Sequence, residues 1–110
     1  MENRRSSRTP LLQQVGLDLH RAGSLSAVAH DVSLGGMFVE TDVLDLPPNT
    51  SVTVSFTLPQ NGRHNVFVLD AAVVRAAANG LGLMFLQMDP EVIRSLSKAL
   101  AAYREPHLAS

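Results

Sequence analysis

Two short stretches of this sequence carry side chains whose types and spacing suit a small ligand that is both anionic and aromatic. The first is Arg4-Arg5-Ser6-Ser7-Arg8, three arginines within five positions. A guanidinium makes forked, charge-assisted hydrogen bonds to phosphate oxygens and lies flat against aromatic rings. Three of them on a mobile arm can close over such a ligand. The second stretch is Asp31-Val32-Ser33-Leu34-Gly35-Gly36. Residues two apart on an extended strand share a face, which predicts Asp31 and Ser33 side by side. A carboxylate accepts two hydrogens from the N1–H/N2–H edge of guanine, and a hydroxyl beside it donates or accepts. Gly36 has no Cβ, so the strand end can turn there and a flat ring can approach the backbone. Singly, each stretch has an ordinary reading, as a solvated tail and as a turn. Together, in this order and about two strands apart, they point to one site.

Those residues have to be held, and the apolar pattern of the chain says by what. From Gln14 the pattern has period two: Val15, Leu17 and Leu19 alternate with Gly16, Asp18 and His20, as in a half-buried strand. Residues 26–33 read as a second strand and 37–41 as a third, separated by Gly35-Gly36. Leu46-Pro47-Pro48-Asn49 cannot continue a ladder, because proline lacks the donor. Strand four, 51–58, turns Val52, Val54, Phe56 and Leu58 to one face. A fifth, 65–75, offers Val66, Val68, Ala71 and Val73 as core positions, and their change of phase predicts a bulge near Leu69–Asp70. Asn61-Gly62 and Asn79-Gly80 are turn signals on either side of it. The sixth strand, 81–87, aligns Leu81, Leu83 and Phe85. Asp89-Pro90-Glu91 then opens a helix, with Asp as cap and Glu at the positive end of the dipole. Ile93, Leu96, Leu100 and Tyr103 form its apolar stripe and Pro106 its stop signal. Six short strands closed by one helix predict an all-β fold, a small antiparallel barrel with its open end covered.

Composition narrows the function. The chain has 110 residues, the size of one domain, and 45% hydrophobic against 17% charged residues excludes wholesale disorder. Nine basic and ten acidic side chains leave a formal net charge of −1, which argues against a protein that wraps nucleic acid by charge. Aromatics at 5%, with no tryptophan, offer few platforms for single-stranded bases. Absence of cysteine excludes disulfides, thiolate zinc sites and thiol catalysis. His20, His30, His64 and His107 do not fall at the spacing of a metal pair, so no metal is expected. Ser33 has no G-x-S-x-G elbow around it, and no enzyme activity is expected. No apolar run approaches the ~20 residues of a membrane span, and no apolar stretch follows the basic N-terminus as in an export signal. A cytoplasmic protein without membrane insertion is the expectation.

Arg4-x-x-x-Arg8, with Arg5 completing an RR-x-x-R form, and Asp31-x-Ser33-x-x-Gly36 resemble the two motifs of the PilZ domain family. The likeness continues in Gly36-Met37-Phe38-Val39, in Val73-Val74-Arg75, in Gly80-Leu81-Gly82-Leu83-Met84-Phe85 and in the last helix. The resemblance implies a six-stranded antiparallel split β-barrel capped by an α-helix, binding the bacterial second messenger cyclic di-GMP and no further cofactor. It implies that Arg4 and Arg8 hold the phosphates and stack on guanine, with Arg5 as a further contact. Asp31 and Ser33 would read a guanine edge, and Gly36 would make room for the ligand. Arg75 is a secondary candidate, since this position faces the same mouth in some members. Asn3 stands just before the first motif, where the residue influences whether one nucleotide or an intercalated pair is bound. On this basis residues 1–12 form a basic arm, 13–105 the barrel with its helix, and 106–110 a tail. The expected function is a single-domain receptor that changes shape on binding cyclic di-GMP and signals to an unidentified downstream protein by contact, as a monomer or a ligand-dependent dimer. Some family members have lost both motifs and act as protein-docking modules without nucleotide; this sequence keeps both.

Overall fold

Val52, Val54, Phe56 and Leu58 all point inward from β4 (Ser51–Gln60), while Ser51 and Ser55 face solvent. The same alternation builds β1 (Thr9–Asp18), β2 (Ser24–Val32), β3 (Gly36–Glu40), β5 (Arg63–Ala77) and β6 (Gly80–Phe85), and the chain ends in α1 (Pro90–Ala109). The computed structural model describes residues 8–43, 45–60 and 62–109. Its strands close into a barrel in the order β1-β2-β3-β6-β5-β4, every pair antiparallel. Leu17, Val32, Met37, Val39, Val54 and Leu81 fill the interior without measurable exposure beyond 1%. Leu96, Ala99 and Leu100 of α1 join that core, and the helix lies against β4. No helix among the described residues is long and apolar enough to cross a membrane.

The barrel is split where it closes. β1 and β4 pair only at Gly16↔Ser55, Leu17↔Val54 and Asp18↔Thr53. Beyond that point a side chain replaces the ladder. The Gln13 amide donates to the Thr57 carbonyl at 2.8 Å and accepts from the Thr57 N–H at 3.0 Å, imitating a strand peptide. Just before it, Leu12 adopts φ 51 and the β1–β2 register slips between Pro10 and Gln13, in the part of β1 that has no ladder partner on β4.

Several sequence expectations need correction. Phe67 and Leu69, not Val66 and Val68, face the core: the two valines are 67% and 61% exposed. Residues 67, 69, 71 and 73 hold one phase, so β4 and β5 stay in register from Ser51↔Ala72 to Gln60↔Arg63, with no bulge at Leu69–Asp70. The slip lies at Val74, between Val73 and Arg75, against β6. Valine's β-branching suits the outer face of a strand as well as the inner one, and that misled the phase assignment. β1 begins at Thr9 rather than near Gln14: positions 9, 11, 13, 15 and 17 all face inward, but Thr9 and Gln13 are polar and the apolar Leu12 points out, so the sequence pattern hides the alternation. On α1, Ile93 is 41% exposed and Val92 packs on the core instead. The helix continues through Pro106 to Ala109. Proline there removes a single backbone donor near the helix end, and one missing bond does not prevent helical geometry in the residues that follow.

Candidate functional site

One lateral row of paired residues crosses the outer surface of the barrel. Pro10 of β1 opposes Asp31 of β2, Asp31 opposes Phe38 of β3, Phe38 opposes Gly82 of β6, and Gly82 opposes Arg75 of β5. Register slips bracket the row. His30 is the extra residue on β2 against β3, and Val74 the extra residue on β5 against β6. A bulge turns neighbouring side chains towards one side and bends the strand, so the row is a place where the sheet presents more side chains outward than plain alternation allows.

At the β2 end, Arg8 Nη1 donates to Asp31 Oδ1 at 2.6 Å. This brings the last arginine of the first motif and the carboxylate of the second together on the outer face. Their side chains are 52% and 28% exposed, so the pair adds on the order of 0.2–1 kcal/mol and is readily exchanged for another partner. Only Oδ1 is engaged, which leaves Oδ2 of Asp31 with no donor among the described residues. Arg4, Arg5 and Asn3 lie outside the described residues.

Ser33 is placed differently from its sequence expectation. β2 ends at Val32, and Ser33 turns into the β2–β3 connection with 2% exposure rather than standing beside Asp31 on the open face. Its Oγ accepts from the Gly35 N–H at 3.1 Å, and its own N–H donates to the Gly36 carbonyl at 2.8 Å. A buried hydroxyl needs such partners, and here they shape the turn. Gly36 has a steric reason to be glycine: a Cβ would fall 2.0 Å from the Leu83 carbonyl oxygen of β6. The second motif therefore builds the turn and the close β3–β6 approach, and offers Asp31 outward.

At the β5 end, the Arg75 guanidinium carbon sits 5.8 Å from the centroid of the Phe38 ring. Among the described residues Arg75 makes no ion pair or hydrogen bond. The His30 ring meets Phe38 edge-on at 5.9 Å, and His30 Nε2 lies 2.7 Å from Glu40 Oε1. The sequence signal that could have pointed to Phe38 is the pair Gly80 and Gly82 on β6, the strand beside it. In three dimensions a Cβ at Gly80 would come 2.1 Å from the Val39 carbonyl oxygen and 2.8 Å from Phe38 Cζ, and one at Gly82 3.3 Å from Arg75 Cγ. No group of three or more His, Cys, Asp or Glu side chains among the described residues is placed to hold a metal ion.

A six-stranded split barrel, a lidding helix and an arginine of the arm seated on the β2 carboxylate agree with a match of the PilZ domain profile to residues 2–102. The chain belongs to the PilZ domain family. Solved structures with the same fold include the PilZ domain of CeSA from a cellulose-synthesizing bacterium, at 20% identity and TM-score 0.71, over 91% of this chain and 100% of that one. The PilZ domain of YcgR from Escherichia coli, solved with c-di-GMP, matches at 18% identity and TM-score 0.74, over 96% and 95% of the two chains. MotI/DgrA, the inhibitor of motility of Bacillus subtilis, matches at 16% identity and TM-score 0.78, with all of this chain spanning 54% of that protein. At these identities the likeness establishes the fold. No curated protein matches the sequence.

Proposed function

We propose that this PilZ domain is a receptor for cyclic di-GMP, that the ligand lies on the outer row anchored at Asp31, and that the signal passes to a partner protein by contact. The observation that carries the reading is the Arg8–Asp31 pair, which joins the arm to the barrel at the one exposed carboxylate of the second motif. Arg8 is held beside a carboxylate whose second oxygen has no donor among the described residues, so a guanine N1–H/N2–H edge can bond Asp31 while the guanidinium reaches a phosphate or the base plane. Arg4 and Arg5 supply the remaining cationic contacts from the arm, and closing of the arm over the ligand creates the altered surface that a partner recognises. A family whose member YcgR is solved with c-di-GMP makes this ligand the first to test. The protein performs no catalysis in this reading and works in the cytoplasm.

Calorimetric titration with cyclic di-GMP is the test. The expected result is saturable binding with favourable enthalpy, since fixing the arm costs about 1–2 kcal/mol of entropy per residue. Cyclic di-AMP, which offers no N1–H/N2–H pair, binds at least ~100-fold more weakly. Absence of binding would leave the nucleotide-free docking module; equal binding of the two dinucleotides would mean that only phosphate charge is read.

A further inference from the structure

Phe38 and Arg75 form a flat, outward-facing pair that the two sequence motifs do not include. The glycines of β6 leave room for it. Gly80, where a Cβ would meet the Val39 carbonyl oxygen at 2.1 Å, also lets the Phe38 ring come close to β6, and with no Cβ at Gly82 the Arg75 stem runs close beside it. The charge arrangement also matters. Among the described residues Arg75 makes no ion pair or hydrogen bond and lies 5.8 Å from the Phe38 centroid, while Glu40 at the end of β3 is bonded by His30 at 2.7 Å. An unpaired guanidinium backed by an aromatic ring is a stacking surface for a planar π-system that carries negative charge nearby. The site is also in the right place. Phe38 is the direct cross-strand neighbour of Asp31, one strand spacing of about 4.8 Å away.

We propose that Phe38, flanked by Arg75, is the platform on which a purine base of the bound dinucleotide stacks while its edge meets Asp31. This rests on the receptor reading above and adds to it a base-stacking residue on β3 with its cationic flank on β5. The alternative is that Phe38 only covers two strand glycines, an arrangement that needs no ligand.

Phe38→Leu separates the two, because leucine still covers Gly80 with hydrocarbon but has no π-face. The platform predicts that cyclic di-GMP binds this variant about 5- to 100-fold more weakly, with thermal unfolding little changed. Phe38→Trp is the second variant and an optical reporter, since the chain has no tryptophan of its own. Its indole emission is expected to be quenched as cyclic di-GMP saturates the protein, with a midpoint matching the calorimetric one. Wild-type affinity in Phe38→Leu, or unchanged emission from Phe38→Trp at saturation, overturns the platform while the receptor reading stands. Failure of the wild-type protein to bind cyclic di-GMP overturns both.

Discussion

At the scale of single residues, the account turns on Arg8 and Asp31. Each is exposed enough that folding is not expected to depend on it, and in the proposed receptor each gains a stronger partner when ligand binds. A charge-assisted hydrogen bond contributes about 1.5–3 kcal/mol, so Arg8→Ala is expected to weaken cyclic di-GMP binding roughly 10- to 150-fold. Asp31→Ala should do the same and also narrow the preference over cyclic di-AMP. Thermal unfolding of both variants, followed by circular dichroism, should stay close to wild type. An Arg8→Ala protein that titrates like the parent would remove the arm from the site. Residue types and spacing were enough to single out these two. They were not enough for Ser33 and Gly36, whose places depend on a turn closing back on itself and on the distance between β3 and β6. Neither is a property of local sequence. Gly36→Ala is accordingly expected to destabilise the fold by about 1–3 kcal/mol, because its Cβ would meet backbone at 2.0 Å and a strand must move. Urea unfolding measures this, and a midpoint equal to wild type would show that β3 and β6 can part without cost.

Elements were the most legible level. Alternation in β4 and the turn signals at Asn61-Gly62 and Asn79-Gly80 predict the β4-β5-β6 meander, and the Asp89-Pro90-Glu91 start predicts α1. What alternation cannot register is a slip, since one extra residue changes the face of everything beyond it. The slips at His30 and Val74 were not foreseen and help to form the candidate site, whereas the misread phase at Val66 and Val68 lies in a stretch without a slip. The seam between β1 and β4 is the other feature hidden from periodicity. Gln13 closes it through one residue of β4. Gln13→Ala leaves the Thr57 N–H and carbonyl without these bonds in a half-buried place and is expected to cost about 1–3 kcal/mol. Hydrogen exchange of the Thr57 amide should speed up more than that of β5 amides. Uniform exchange changes across the barrel would instead make Gln13 an ordinary surface side chain.

For the molecule as a whole, a net charge of −1 gives no general attraction for an anion, so recognition of a dinucleotide has to be local. The barrel supplies an outer row from Asp31 through Phe38 to Arg75, and Arg8 sits at its β2 end. Such binding weakens as salt rises, because partly exposed charges are screened over about 10 Å at 0.1 M ionic strength. The most direct test of this arrangement is amide chemical-shift mapping by NMR during titration with cyclic di-GMP. The account predicts saturable shifts concentrated at Arg8, in the arm before it, at His30 to Phe38, and at Val74, Arg75 and Gly82, with Ser55 and Val68 on the β4–β5 face unmoved. Shifts centred on Ser55 and Val68, or no saturable shifts at all, would contradict it.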